Sequence, residues 1–188
     1  MSVVSCQFFS HEEEEEAQEQ MNNAILTEFE VNGDRLHMEG VINRQTPVQL
    51  RKILTANPAI TLIIMHEVPG SIDDIFLFVA ARMVRNRGIA THLPADGEIA
   101  SGGVDFFLAG VKRTAEAGAK IGVHSWADDD YEGRELDSNA AEHLIYLGYY
   151  RDMGIAEDFY WFTLNAADAD DIHWMTRTEM KRYKMLTQ

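Results

Sequence analysis

The sequence predicts a single α/β domain built around a parallel sheet, and two observations carry this prediction. Ile60-Thr-Leu-Ile-Ile-Met65 is a nearly unbroken apolar run, which is typical of a strand covered on both faces. Strand and helix patterns then alternate from this run to His124, which favours right-handed crossovers between parallel strands. A chain of 188 residues with 46% hydrophobic residues can build one core of this kind.

The N-terminal end is strongly acidic. Residues 1–23 contain the glutamate run Glu12–Glu16, followed by glutamine and asparagine, and this composition predicts a disordered tail. Residues 24–188 are expected to form the folded domain, with no linker that divides it. The formal net charge of the whole chain is −15. Such a surface repels phosphate groups, which argues against nucleic acid and anionic membranes as partners.

A hairpin and a helix are the first predicted elements. Apolar and polar residues on both sides of Asn32-Gly33 predict strands over 25–31 and 35–42. Thr46 is placed to cap the next helix, and Pro47 to occupy its first position. The apolar face of this helix is expected to consist of Val48, Leu50, Ile53 and Leu54.

The later elements are assigned in the same way. Asp73 and Asp74 open a helix that ends near Gly88, and a short strand follows over 89–93. A helix from about Ser101 to Gly110 and a strand over 120–124 come next. The rest of the chain is expected to form a polar loop and three helices, over 127–136, 139–153, 156–165 and 176–184, with Thr176 capping the last helix.

Ser101 is the first candidate for chemistry. It follows a strand and a turn, and it precedes Gly102, Gly103 and an apolar helix. A helix N-terminus offers free N–H groups and the positive end of the helix dipole, which can receive the oxyanion formed when a serine attacks a carbonyl. Taken alone, the pattern also fits a serine that caps the helix. The Gly-x-Ser-x-Gly elbow is not present, because residue 99 is Ile.

His124 is the second candidate. It ends the strand pattern Ile121-Gly-Val-His, at the edge of the sheet where parallel α/β proteins place their sites. Taken alone, it also fits a histidine bonded to a nearby carbonyl group.

Four segments, in order, resemble blocks of the Clp protease proteolytic subunit family, whose fold also occurs in crotonases. They are Thr61–Ile72, the Ser101-Gly-Gly segment with its helix, Ile121–His124 and Asp171–Leu186. The resemblance covers roughly residues 35–187 and is greatest to a bacterial branch whose members are often exported. It implies a spiral of β-β-α units with parallel sheets and with the helices packed outside.

The resemblance implies a serine hydrolase, and more narrowly a peptidase. Ser101 would be the nucleophile, His124 the general base and Asp171 the acid that orients the histidine, with Asp168 and Asp170 as alternatives to Asp171. The backbone N–H groups of Gly70 and Gly102 would form the oxyanion hole. A peptide or acyl substrate and a homo-oligomer are implied as partners.

The sequence departs from the family pattern at several positions. Pro69 stands where the family has the first of two glycines, and Gly102 replaces a larger residue. A non-catalytic member that keeps the fold as a binding or assembly module is therefore the alternative function. The presence of Ser101, His124 and a candidate aspartate at family spacing favours the enzyme.

The aromatic residues over 146–162 are expected in the core or at an oligomer contact.

Cofactors and cellular location are predicted from simpler features. The chain has one cysteine, Cys6, so it cannot form an internal disulfide or a cysteine-based metal cluster. No phosphate-binding, dinucleotide-binding or metal-binding pattern is found, and no cofactor or metal is expected. No apolar run of about 18 residues predicts a transmembrane segment. The sequence as it stands indicates a cytoplasmic protein, or one of the cell envelope if an N-terminal signal has been removed.

Overall fold

The structure is a computed structural model that describes residues 17, 19–21, 23–128 and 130–187. Most of the predicted tail lies outside the described residues. Residues 17, 19–21 and 23 have helical backbone. The carbonyl oxygens of Met21 and Ala24 accept hydrogen bonds from Asn43 Nδ2 at 2.9 and 2.8 Å. These bonds attach the segment before the first strand to the domain.

Nine strands form two sheets in the described part of the chain. The first sheet has the strand order β1-β2-β3-β5-β7, and the second has the order β4-β6-β8-β9. Neighbouring strands are parallel except in the pairs β1–β2 and β8–β9, which are antiparallel. The strands are β1 (Thr27–Asn32), β2 (Arg35–Gly40), β3 (Leu62–Met65), β4 (Glu67–Val68), β5 (Ala90–Leu93), β6 (Glu98–Ala100), β7 (Arg113–Ala115), β8 (Lys120–Val123) and β9 (His173–Trp174).

The chain winds between the two sheets in a repeated pattern. In each of the pairs β3–β4, β5–β6 and β7–β8, the first strand joins the first sheet and the second strand joins the second sheet. A helix follows each of the first two pairs, so the predicted spiral of β-β-α units is confirmed. The helices are α1 (Gln45–Ala56), α2 (Asp74–Asn86), α3 (Gly102–Leu108), α4 (His143–Met153), α5 (Glu157–Ala166) and α6 (Arg177–Arg182), with a 3₁₀ helix at Gly133–Glu135.

The core lies between the sheets and the helices. Ile63 and Met65, from the apolar run that predicted the sheet, are completely buried. Leu77 of α2 and Phe107 of α3 are also completely buried. Because α2 and α3 pack on each other at the ends of β4 and β6, the core fixes the start of α3 relative to the sheet edge.

The start of α1 corrects one prediction. The helix begins at Gln45, whose N–H donates to Asn43 Oδ1 at 3.0 Å, so Thr46 is not its cap. Thr46 is buried instead, and its hydroxyl is 2.6 Å from the hydroxyl of Thr27 in β1. A tertiary contact therefore uses the side chain that the sequence assigned to capping. Val48, expected on the apolar face, is exposed.

Other boundaries follow the sequence more closely. Asp73 caps α2 by accepting hydrogen bonds from the N–H groups of Ile75 and Phe76. Thr176 caps α6 as predicted. Helix α4 begins at His143, four residues after its predicted start. Strand β4 was expected as part of a turn, because two residues are too few to show a periodic pattern.

Candidate active site

The carboxyl ends of three neighbouring parallel strands bring the predicted site residues together. Strands β4, β6 and β8 are adjacent in the second sheet. Gly70 follows β4 after one intervening residue, Ser101 directly follows β6, and His124 directly follows β8. The Ser101 N–H donates to the carbonyl of Gly122 at 3.1 Å, which fixes the nucleophile candidate against β8. This is the edge at which parallel α/β sheets place their ligands.

Ser101 has an unusual backbone conformation. Its φ is +51° and its ψ is −130°, a region that costs a non-glycine residue about 1–3 kcal/mol. Its side chain does not cap α3, and its hydroxyl forms no hydrogen bond with a described residue. The sequence left open that Ser101 caps α3 with its side chain, and the structure shows that it does not. A strained turn between a strand and a helix is the geometry that presents a serine hydroxyl at the top of a sheet.

Gly70 lies against the side chain of Ser101. A Cβ atom added at Gly70 would be 3.2 Å from Ser101 Cβ and 3.6 Å from Ser101 Oγ. The Gly70 carbonyl accepts a hydrogen bond from the Ile42 N–H, whereas the Gly70 N–H donates to no acceptor in the described part of the chain. The missing N–H of Pro69 therefore leaves the donor beside Ser101 in place.

The two glycines after Ser101 allow α3 to start close to the turn that follows β4. A Cβ atom at Gly102 would be 2.3 Å from Ser71 Oγ, and one at Gly103 would be 2.2 Å from the carbonyl oxygen of Val68. Neither site has room for a side chain. As the first residue of α3, Gly102 has an N–H without an acceptor inside the helix. Ser71 therefore explains why position 102 is a glycine in this chain.

His124 and Ser101 line the same cavity, which has a volume of ≈ 40 Å³. The Nδ1 atom of His124 is buried and has no hydrogen-bond partner among the described residues. In a Ser-His-Asp triad this is the atom that bonds to the acid. The next residue, Ser125, is held by a hydrogen bond from its N–H to the carbonyl of Ala167 at 3.0 Å.

The three candidate aspartates lie on one loop beside His124, between α5 and β9, but none bonds to its ring. Asp171 Oδ1 accepts a hydrogen bond from the Ile172 N–H at 2.7 Å. The carboxylate of Asp168 is paired with Arg134. Asp170 is exposed. The structure therefore places all three candidates on one loop, and the identity of the third residue stays a prediction.

The wall of the cavity contains residues that the sequence analysis did not assign to the site. Asp74, Asp105 and Trp126 belong to it, as do three of the aromatic residues expected in the core or at an oligomer contact, namely Tyr146, Tyr150 and Tyr160. The position of Asp105 in the sequence could have indicated that it belongs to the site. It is the one charged residue of α3, and it lies four positions after Ser101, which places it on the same side of the helix.

The two wall carboxyls are bonded to hydroxyl groups. Tyr150 donates to Asp105 Oδ1 at 2.6 Å, and Tyr146 donates to Asp74 Oδ2 at 2.8 Å. Ser71 Oγ donates to the other oxygen of Asp74. Burial raises the pKa of Asp105 to about 7; the Tyr150 hydrogen bond opposes this shift, and the charge of Asp74 adds to it.

Comparison with known proteins gives the fold. No family model and no curated protein sequence matches the chain. A solved structure of the 1510-N membrane-bound stomatin-specific protease, a lysine-to-alanine mutant with a substrate peptide, superposes with a TM-score of 0.54 at 15% identity, covering 80% of this chain and 71% of that chain. An enoyl-CoA hydratase/carnithine racemase from Magnetospirillum magneticum superposes with a TM-score of 0.54 at 13% identity, covering 87% and 67%. The chain has the Clp-protease/crotonase fold.

This fold supports more than one reaction, so the likeness itself shows the architecture alone. A serine-to-alanine mutant of the same protease is similar to this chain at a TM-score of 0.54 and 14% identity.

No helix among the described residues has the length and apolar character needed to cross a membrane.

Proposed function

We propose that this protein is a serine hydrolase, more narrowly a peptidase, in which Ser101 is the nucleophile and His124 the general base. The observation that carries the proposal is the conformation of Ser101 at the start of α3. Its backbone is strained, its side chain does not cap the helix, and it lines one cavity with His124. The Ser101 hydroxyl would attack a carbonyl carbon while His124 takes its proton. The N–H groups of Gly70 and Gly102 would receive the oxyanion. Asp171 is the proposed third residue, with Asp168 and Asp170 as the alternatives.

A lysine as the general base and an acyl-CoA as the substrate both fit the cavity less well. Serine hydrolases can use a lysine base, but none of the five lysines lines this cavity. Lys120, at the start of β8, is paired with Glu98 at 2.7 Å. An acyl-CoA substrate carries several phosphate charges, and the acidic chain with Asp74 and Asp105 beside the site would repel them.

The alternative is a non-catalytic binding or assembly module. The backbone of Ser101 argues against it, because a strained conformation lowers stability and a scaffold gains nothing from it. The close approach of Gly70 to Ser101 argues the same way, since a scaffold has no need for an open N–H donor at that position.

The experiment that tests the proposal is covalent labelling with a fluorophosphonate, which reacts with activated serines. The wild type is compared with Ser101→Ala and His124→Ala, and with Ser138→Ala as a control that removes an exposed serine far along the chain. We expect labelling of the wild type and Ser138→Ala, none of Ser101→Ala, and a much slower reaction of His124→Ala. Equal labelling of the wild type and Ser101→Ala would show that the module is the correct interpretation.

A further inference from the structure

The cavity beside Ser101 has two carboxyl groups on its wall and no lysine or arginine side chain. Asp74, at the start of α2, and Asp105, in α3, both line it. Among the described residues, no lysine or arginine lies within ion-pair distance of either carboxyl. Their partners are hydroxyl groups, so no cationic side chain in this part of the protein balances a negative charge on either carboxyl.

Asp105 also keeps one carboxyl oxygen without a donor. Tyr150 donates to Oδ1, and no described residue donates to Oδ2. Asp74 differs, because both of its oxygens accept hydrogen bonds, from Ser71 and Tyr146. Asp105 is partly exposed, and its Oδ2 is not among the buried polar atoms that lack a partner. Oδ2 is therefore the carboxyl oxygen in the wall that a ligand can reach.

The position of Asp105 relates it to the nucleophile. It lies four residues after Ser101 in the same helix, which corresponds to a rise of about 6 Å. In a hydrolase of this kind, the substrate side chain nearest the attacked carbonyl points into the cavity beside the nucleophile. A group at the far end of that side chain would reach the level of Asp105.

We propose that this cavity selects a substrate whose side chain ends in a primary ammonium group, as in lysine, and that Asp105 is the residue that determines this specificity. The inference rests on the proposed hydrolase function. The ammonium would donate to Asp105 Oδ2, and the aliphatic stem would pass Val104 and Val123, which also line the cavity. A compact ammonium needs less space than a planar guanidinium, so a lysine side chain is preferred over an arginine side chain.

The charge of the site agrees with a cationic ligand. Burial, followed by the nearby charge of Asp74, raises the pKa of Asp105 to about 7, against the opposing hydrogen bond of Tyr150. The charged carboxylate is therefore unfavourable in the empty cavity. A bound ammonium would stabilise the charged form, so binding near neutral pH would release a proton.

The first test compares two ester substrates of the same length, Nα-acetyl-lysine methyl ester and Nα-acetyl-norleucine methyl ester. We expect the wild type to hydrolyse the lysine ester with a kcat/KM about 10- to 100-fold higher, since a hydrogen bond to a charged group is worth that much. Asp105→Asn keeps an acceptor for Tyr150 and should lose most of this preference. Asp152→Asn, which removes a surface ion pair with Arg82, is the matched control and should keep the preference.

The second test does not depend on catalysis. Titration of Ser101→Ala with n-butylammonium and with 1-butanol, followed by the NMR signal of the Trp126 indole, measures binding in the cavity. We expect the ammonium to bind more tightly, and the difference to disappear in Ser101→Ala/Asp105→Asn. Ester hydrolysis without a lysine preference would overturn the specificity and leave the hydrolase intact. Absence of any hydrolysis, with ammonium binding that depends on Asp105, would reject the hydrolase and support the cation site. Equal binding of both probes would overturn the cation site.

Discussion

Gly102, the residue after the candidate nucleophile, lies so close to Ser71 that a Cβ atom on it would be 2.3 Å from the Ser71 hydroxyl oxygen. Ser71 lies in the turn after β4, and Gly102 begins α3 after β6. The turn after β4 therefore packs directly against the start of α3. This packing brings the residue after the candidate nucleophile against the turn that contains Gly70. The spacing of these two elements is therefore a property of the site that mutation can test.

Gly102→Ala is expected to destabilise the protein. The added methyl group would overlap Ser71 and approach Leu77 Cδ2 at 3.0 Å, and overpacking of this kind costs about 1–3 kcal/mol. Urea unfolding measures the change. Gly148→Ala in α4 is the matched control, because its nearest neighbour would be the Arg151 guanidinium at 3.8 Å. That variant should gain about 0.5–1 kcal/mol from helix propensity, and an equal loss in both variants would contradict the close packing at Gly102.

The stability of the protein is expected to depend on pH through Asp105. Its pKa is raised to about 7, above the ordinary value of 3.8, so between these two pH values the folded state holds a proton that the unfolded state has lost. The free energy of unfolding therefore falls as pH rises through this window, and the loss is complete above it. Asp105→Asn lacks this dependence.

Urea titrations at pH 5 and pH 8 check the prediction. Relative to Asp105→Asn, the wild type should be less stable at pH 8 than at pH 5. The comparison with the variant cancels the other titrating groups, which both proteins share. A wild-type stability that moves in parallel with that of the variant would show that Asp105 has an ordinary pKa.

The third residue of the proposed triad can be identified by replacing each aspartate of the loop with asparagine. Asp171→Asn is expected to lower kcat by about 10²- to 10⁴-fold, because the imidazole loses the charge that orients and stabilises it. Asp170→Asn should keep the wild-type rate. Asp168→Asn should change it little, since the Asp168 carboxylate is already paired with Arg134. Ester hydrolysis measures all three, and a larger loss in Asp168→Asn than in Asp171→Asn would transfer the role to Asp168.

The predicted homo-oligomer can be tested from the surface of α2 and α4. Ile75 in α2 and Leu144 in α4 are 63% and 66% exposed, so a second copy of the chain could cover them. We expect the wild type to have a solution mass above that of the 21.3 kDa chain, and Ile75→Asp to shift it towards the monomer. Lys52→Asp in α1 serves as a control for the added charge. A wild type that runs as a monomer at all concentrations would contradict the prediction.

The sequence by itself determined the fold class and supplied the candidate site residues. The apolar run at β3 and the alternation of strands and helices are local patterns, and local patterns record which side chains must be buried. The candidate site residues came from the order and spacing of four segments, which contain Gly70, Ser101, His124 and Asp171. A resemblance over four ordered segments can be recognised without knowledge of three-dimensional contacts. The helix caps at Asp73 and Thr176 were also local, since a cap bonds to its own helix.

Only the tertiary structure decided what the hydroxyl groups and carboxyls contact. Thr46 reads as a cap in sequence, yet it is buried against Thr27, 19 residues earlier. Ser101 was a possible cap until its backbone conformation and free hydroxyl were seen. Asp105 became part of the cavity because Tyr150, 45 residues later, packs over it. These contacts join residues far apart in the chain, and their energies depend on burial and geometry that no local pattern contains.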